Sequence, residues 1–484
     1  MIRFILSIIL VFQTLFPLFD MPKASARPGD AKYIILLIGD GMGANHTQAA
    51  NLYTGSTPSY QSWNNYWVTT YSNNGSYNPT QAWSSFSYVK NSATDSAAAA
   101  TAMYSGIKTY NASINVSDDG LARLYTLPEY ARLFDLNVGV VSSVYLSHAT
   151  PGAWIAHNDN RNNGYAIANE GLWGDPDTTG AHAGDHGPTL PPVDVAIAAG
   201  YYGGTFISSA IRNKLLAESG QPGTFTYVER GGYDGGDVLL NAASLITTTR
   251  LAGLFGGSGG NLEYRLADGS GSSSQDPTLA EMASAALTVL SRNPNGFVLM
   301  IEGGAIDWAA HPNEMDKMVG EVIGFNDAVQ TVIAWVDDPI NDSTWENTLV
   351  IVTADHETGY LTAGPGILPS QPLGEVSETT LALEKMNNGN GQKASWQDDN
   401  DNDEIDPGET VYWAWNYGSH TNSLVPLFAK GVCATEFDHH IRGFDPVRGA
   451  YVDNTDIFRV MYTALALRYH IALPLVIQTA SATP

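Results

Sequence analysis

The chain has a single cysteine, Cys433, so no disulfide can form within it. Its flanks, "LFAKGVCATEF", read as those of an ordinary buried thiol. Basic residues are scarce: 23 Lys and Arg stand against 49 Asp and Glu, a formal net charge of −26. That balance argues against a nucleic-acid-binding module, whose affinity comes from neutralising phosphates, and fits an extracellular setting. No apolar run after residue 26 is long enough to span a bilayer. Internal repeats are absent. So is the G-x-S-x-G elbow of an esterase, and no histidine lies near the serine of "TDSAAAATA" (94–102).

The opening residues form a separate object. Arg3 precedes the apolar "FILSIILVFQTLFPLF", and Ala24-Ser25-Ala26 gives an A-x-A pattern. This predicts a secretory signal, residues 1–26, cleaved after Ala26, and a periplasmic or secreted mature chain, 27–484. An uncleaved membrane anchor is the alternative. The 44% hydrophobic composition is ample for a large core.

Four runs read as strands covered on both faces: "YIILLIG" (33–39), "VGVVSSV" (138–144), "GFVLMI" (296–301) and "NTLVIVT" (347–353). Helical patterns fall between them, at 126–134, 278–292, 314–336 and 455–469. The alternation predicts an α/β three-layer sandwich, a largely parallel sheet with helices on both faces. Ligands in such sheets bind beyond the carboxyl ends of the strands. Two stretches break the rhythm: an aromatic surface insertion at about 51–90, and a Gly-rich, then acidic, cap insertion at about 365–418.

Polar residues collect at the strand ends. Asp40 lies between glycines in "IGDGMG", Glu302 ends a strand, and Asp307 and His311 are four apart, on one helix face. Asp355 and His356 are adjacent in "VTADHETG", and His420 follows the cap in "GSHT". Singly each has a bland reading; jointly they point to metal binding. Carboxylates with imidazoles suit zinc, and oxygen-only sets suit magnesium. A paired-metal site can clamp both oxygens of an in-line phosphoryl displacement, and a metal can activate a serine that has no base. Ser96 then reads as a nucleophile at a helix start, with Asp95 or Ser96 itself suited to the cap.

These motifs, with "SHATPGAWIAH…R", resemble those of bacterial alkaline phosphatases in the same order, over most of residues 32–470. The resemblance implies hydrolysis of small phosphate monoesters through a phosphoserine on Ser96. It implies a first zinc on Asp307, His311 and His420, and a second on Asp40, Asp355 and His356. It implies one magnesium, shared by Asp40 and completed by Thr150 and Glu302. Arg161 would hold two phosphate oxygens and Asp95 would orient it; a homodimer is the family expectation. His148 stands near the third site where the best-known enterobacterial member has aspartate, which puts magnesium there in doubt. Trp308 stands where that member has lysine, leaving Arg161 more of the phosphate-holding work.

The alternatives are a related phosphodiesterase or sulfatase, which would lack the Glu302/Thr150 pair and Arg161, and a non-catalytic calcium-binding surface protein. "DDNDNDEIDPGE" (398–409) resembles an EF-hand loop. Asp398, Asn400, Asn402, Asp406 and Glu409 fall at liganding positions, but Asp403 replaces the usual glycine. Structural calcium and a solvated acidic loop are both open readings. "HAGDHGP" (182–188) is either an accessory metal loop or one with hydrogen-bonded histidines. His157 reads as packed rather than ligating, and His46, His439, His440 and His470 carry no assigned chemistry.

Overall fold

The computed structural model describes residues 31–174, 192–200, 206–257, 261–363, 393–396, 399–400, 408–409, 411–469 and 477–479. Its centre is one sheet of eleven strands. In chain order these are β1 Tyr33–Gly39, β2 Asn64–Thr69, β3 Asn137–Tyr145, β4 Val195–Ala199, β5 Thr226–Glu229 and β6 Leu251–Phe255. They continue as β7 Phe297–Gly303, β8 Thr348–Ala354, β9 Val425–Gly431, β10 Gly443–Asp445 and β11 Gly449–Asp453. Their spatial order is β10-β11-β2-β9-β8-β1-β7-β3-β4-β6-β5. The run from β8 to β5 is parallel throughout; β9 enters antiparallel to both β8 and β2.

The continuous apolar runs explain the centre. Every residue of β1, β7 and β8 is buried, as expected of strands with helices on both faces. The helices that matter below are α1 Ala44–Thr54, α2 Phe86–Lys90, α3 Ser96–Ser105, α4 Ala149–Ile155, α5 Leu279–Leu290, α6 Ala305–Ala310, α7 Met315–Asp337 and α8 Asn454–Tyr469. α5 starts on a reciprocal cap between Thr278 and Glu281, and packs its Leu, Met and Ala face inward. The α/β sandwich read from the sequence is therefore the observed fold.

The segment 51–90, expected as a surface insertion, is partly woven into the sheet. β2 pairs with β9 on one side and β11 on the other, and Tyr66 and Val68 are buried. Of the expected cap, most residues lie outside those described. The described remainder includes two strands, Ala394–Trp396 and Val411–Ala414, which form a small antiparallel sheet with Thr362–Ala363 just before it.

Strand register sets the site. Gly39 of β1 aligns with Gly303 of β7 and with Ala354 of β8. Ser142 of β3 aligns with Glu302. Three chemistry-bearing turns therefore leave the sheet at one level.

Candidate active site

Asp40 follows β1 directly, in a turn where Gly41 has φ +69°. A Cβ on Gly41 would stand 2.9 Å from both Asp307 Oδ1 and Thr358 Oγ1, so a side chain there would push into the site. The Gly41 and His356 N–H groups both donate to Asp355 Oδ1, at 3.0 and 2.9 Å. Asp355 Oδ2 is thereby left facing His356 Nε2, 3.2 Å away. His356 Nε2 also lies 3.5 Å from Asp40 Oδ1 and 3.3 Å from Ser96 Oγ.

Ser96 opens α3, whose N-cap is Asp95. The Asp95 carboxylate does two things at once. Oδ1 accepts from the Ala98 N–H at 3.0 Å, and Oδ2 accepts from Arg161 Nη1 at 2.9 Å and from the Ala112 N–H at 2.9 Å. Arg161 Nη2 donates to His148 Nε2 at 3.2 Å. Burial, then the Arg161 charge, push His148 down to about 3, so its ring is neutral. With Nε2 facing Arg161, Nδ1 is the ring nitrogen left buried without a hydrogen-bond partner.

Next along the cleft, the His420 and His356 rings stack at 3.6 Å between centroids, and His420 Nε2 lies 3.2 Å from His311 Nε2. Each outer nitrogen has a carbonyl: His311 Nδ1 donates to Gly418 O and His420 Nδ1 to Thr94 O, both at 2.9 Å. Those bonds fix the tautomers and aim both Nε2 atoms inward, as metal-binding histidines are usually held. Asp307 Oδ2 is 3.3 Å from His311 Nε2, and Oδ1 is 3.5 Å from His420 Nε2. Thr358 donates to Asp307 Oδ1 at 2.5 Å, and Ser142 donates to Glu302. The sequence reading missed Thr358 and Ser142; each acts through a carboxylate far away in the chain, and neither has a motif of its own.

Three sets of ligand atoms converge to within 4.8 Å: Asp307, His356 and His420; Asp40, Asp355 and His356; and Asp40, His148 and Glu302. Both Asp40 oxygens, Glu302 Oε1, Asp355 Oδ2 and Thr150 Oγ1 are buried without a hydrogen-bond partner. Burial, then the charges of Asp355, Asp307 and Glu302, hold the Asp40 carboxyl well above its usual range. Burial is also the main cause that pushes Glu302 up to about 8 and Asp355 up to about 7. Asp307 goes the other way. Burial opposes its charge, but the bond from His311 and the neighbouring imidazoles outweigh burial. The same pair raises His311 to about 9 against burial. Buried carboxylates crowded together with inward-aimed imidazoles are costly alone and are matched by divalent cations. The residues present fit metal ions.

A cleft of about 640 Å³ opens over this cluster. Ser96, Asp95, Arg161, His148, Asp307, His311 and His420 line it, together with Lys90, Asn111, Trp308 and Tyr417. The structure thus gathers Ser96, Asp95, Arg161, His148, Thr150, Glu302, Asp40, Asp355, His356, Asp307, His311 and His420 into one place. The calcium reading is different: Asp398, Asn402 and Asp406 lie outside the described residues, while Glu409 accepts from the Asp399 N–H at 3.0 Å. The 182–188 loop also lies outside them. His157 is packed, as expected, between Glu129 at 3.2 Å and Glu170 at 3.3 Å.

A family model for alkaline phosphatase matches residues 31–178 and 216–467. Alkaline phosphatase 4 of Bacillus subtilis is 32% identical over 353 residues, covering 71% of this chain and 65% of its own length. Alkaline phosphatase 3 of that organism is 28% identical over 492 residues, covering 92% and 93%. The solved cold-active alkaline phosphatase of Shewanella sp. superposes with a TM-score of 0.59 at 25% identity, over 89% of this chain and 99% of that one. The Thermus thermophilus alkaline phosphatase shares the fold, with a TM-score of 0.62 at 23% identity over 94% and 96%.

Proposed function

This chain belongs to the alkaline phosphatase family, and we propose that it hydrolyses small phosphate monoesters to an alcohol and inorganic phosphate through a phosphoserine on Ser96. The observation that carries this reading is the position of Ser96: at the N-terminus of α3, beside His356, and in one cleft with Arg161.

In the proposed mechanism, Asp307, His311 and His420 would hold one zinc, and Asp40, Asp355 and His356 a second. Asp40, Thr150 and Glu302 would hold a magnesium. When bound, these ions lower the pKa of the serine hydroxyl and of water and neutralise charge on the oxygens in transfer. Arg161 binds two non-bridging phosphate oxygens with its planar fork, held flat by Asp95. The start of α3 adds its partial positive charge. Ser96 Oγ attacks phosphorus in line, the ester oxygen leaves on the opposite side, and water then cleaves the Ser96–phosphate bond from that same side. His148, bonded to Arg161 through Nε2, steadies the guanidinium.

Export by a cleaved signal, a periplasmic or secreted location, a homodimer, and calcium at 398–409 complete the proposal. No described helix is long and apolar enough to cross a membrane. The test is turnover of a phosphate monoester, a diester and a sulfate ester, with and without EDTA, in wild type and Ser96→Ala. Monoester turnover that is lost in EDTA and in the variant is expected. Faster diester than monoester turnover would overturn the reading. Calorimetry on metal-stripped protein tests the calcium loop, and absence of calcium heat removes it.

A further inference from the structure

The side chains follow one another through the cleft in a definite order. Ser96 Oγ touches His356, His356 stacks on His420, and His420 meets His311. His311 bonds the carbonyl of Gly418, and Tyr417 precedes that glycine on the cleft wall. Tyr417 is pinned at both backbone groups: its N–H donates to Gly359 O at 3.0 Å, and its carbonyl accepts from Asn313 Nδ2 at 2.9 Å. Lys90, the last residue of α2, also lines the cleft. Its ammonium stands 5.6 Å from the Tyr417 ring and 4.6 Å from the Phe86 ring. Phe86 and Tyr417 meet edge to face at 6.3 Å.

Tyr417, Phe86 and Lys90 stand on the side of the cleft that holds the His311–His420 pair. In an in-line displacement the leaving group departs away from the attacking oxygen. With Ser96 attacking from the His356 side, the proposed mechanism sends the body of the leaving group toward the His311–His420 side, where Tyr417 and Lys90 stand. Arg161, which also lines the cleft, is ion-paired with Asp95 at 2.9 Å. Lys90 has no ion pair among the described residues, in a chain with more than twice as many acidic as basic side chains. An uncompensated ammonium over two aromatic faces is a place for an anion on the leaving group.

Resting on the phosphomonoesterase reading, we propose that Lys90 determines substrate preference, selecting phosphate monoesters whose leaving group carries a second negative charge, with Tyr417 and Phe86 holding its ammonium in place. The matched probes are 3-phosphoglycerate and glycerol 3-phosphate, which differ in a carboxylate on the leaving group. The readout is the ratio of their kcat/KM values with the metal-loaded enzyme. Lys90→Ala is expected to lower the acidic-to-neutral ratio about tenfold, through KM rather than kcat, while Lys90→Arg restores it. Lys90→Glu is expected to lower it further. In wild type the preference falls as salt rises, and in Lys90→Ala it does not. Thermal unfolding of Lys90→Ala is expected to match wild type, which separates this role from capping of α2. A ratio unmoved by Lys90→Ala and Lys90→Glu, with glycerol 3-phosphate still turned over, overturns the assignment of Lys90 alone. Failure of the wild type on both esters overturns the phosphatase reading, and this one with it.

Discussion

Asp95 and Thr358 act on the site through a neighbour, and that is what makes them testable. Thr358 donates to Asp307 Oδ1, which leaves Oδ2 facing His311. Thr358→Val keeps the shape and removes the donor. It is expected to weaken metal retention about 10- to 100-fold, read by competition with a chelator, with the fold intact by circular dichroism. Arg161→Ala removes the cleft cation proposed to bind the phosphate. A loss of about 10²- to 10³-fold in kcat/KM for a monoester is expected, in line with deletion of a preorganised donor. An unchanged value would remove Arg161 from the mechanism. The carboxylates and imidazoles that the fold brings together were legible in the sequence because each stands beside a strand end or in a short polar motif. Thr358 and Ser142 were not, because their partners are Asp307, 51 residues away, and Glu302, 160 residues away.

At the scale of the element, α3 joins a cap to the proposed nucleophile position. Asp95 caps the helix with one oxygen and holds Arg161 with the other. The two jobs separate in Asp95→Ser. Serine caps well, so unfolding in urea should shift by less than about 0.5 kcal/mol. The lost ion pair should still lower kcat/KM, and Asp95→Ala should lose about 1 kcal/mol of stability in addition. Equal stability of the two variants would show that the cap is not felt. The strands show what pattern can and cannot reveal. The apolar runs 33–39 and 347–353 match β1 and β8 to within a residue, because strands buried on both faces admit little else. β2, "NNYWVT", begins with two exposed asparagines and buries Tyr66 and Val68 further in, and its sheet partners lie more than 350 residues away. Nothing local distinguishes it from an aromatic surface segment.

For the whole molecule, metal and pH are linked. In metal-free protein the raised carboxyls of Asp355, about 7, and Glu302, about 8, stay protonated in the fold where the unfolded chain has already ionised. The unfolded chain then binds fewer protons, so stability declines as pH rises from about 4 through about 8. Bound cations remove that penalty. The melting temperature of EDTA-stripped protein should therefore fall from pH 5 to pH 8, and the gain on adding zinc and magnesium should be larger at pH 8. A gain independent of pH would mean these carboxylates do not face the ions.

The sheet order carries one more consequence. Asp40 stands at the end of β1, while His420 precedes β9, which lies against β8 near the other end of the sequence. A chain being made or exported from its N-terminus carries Ser96 and Arg161 long before it carries His420. A chain cut short before residue 417 lacks one wall of the cleft, the one formed by Tyr417, Ser419 and His420.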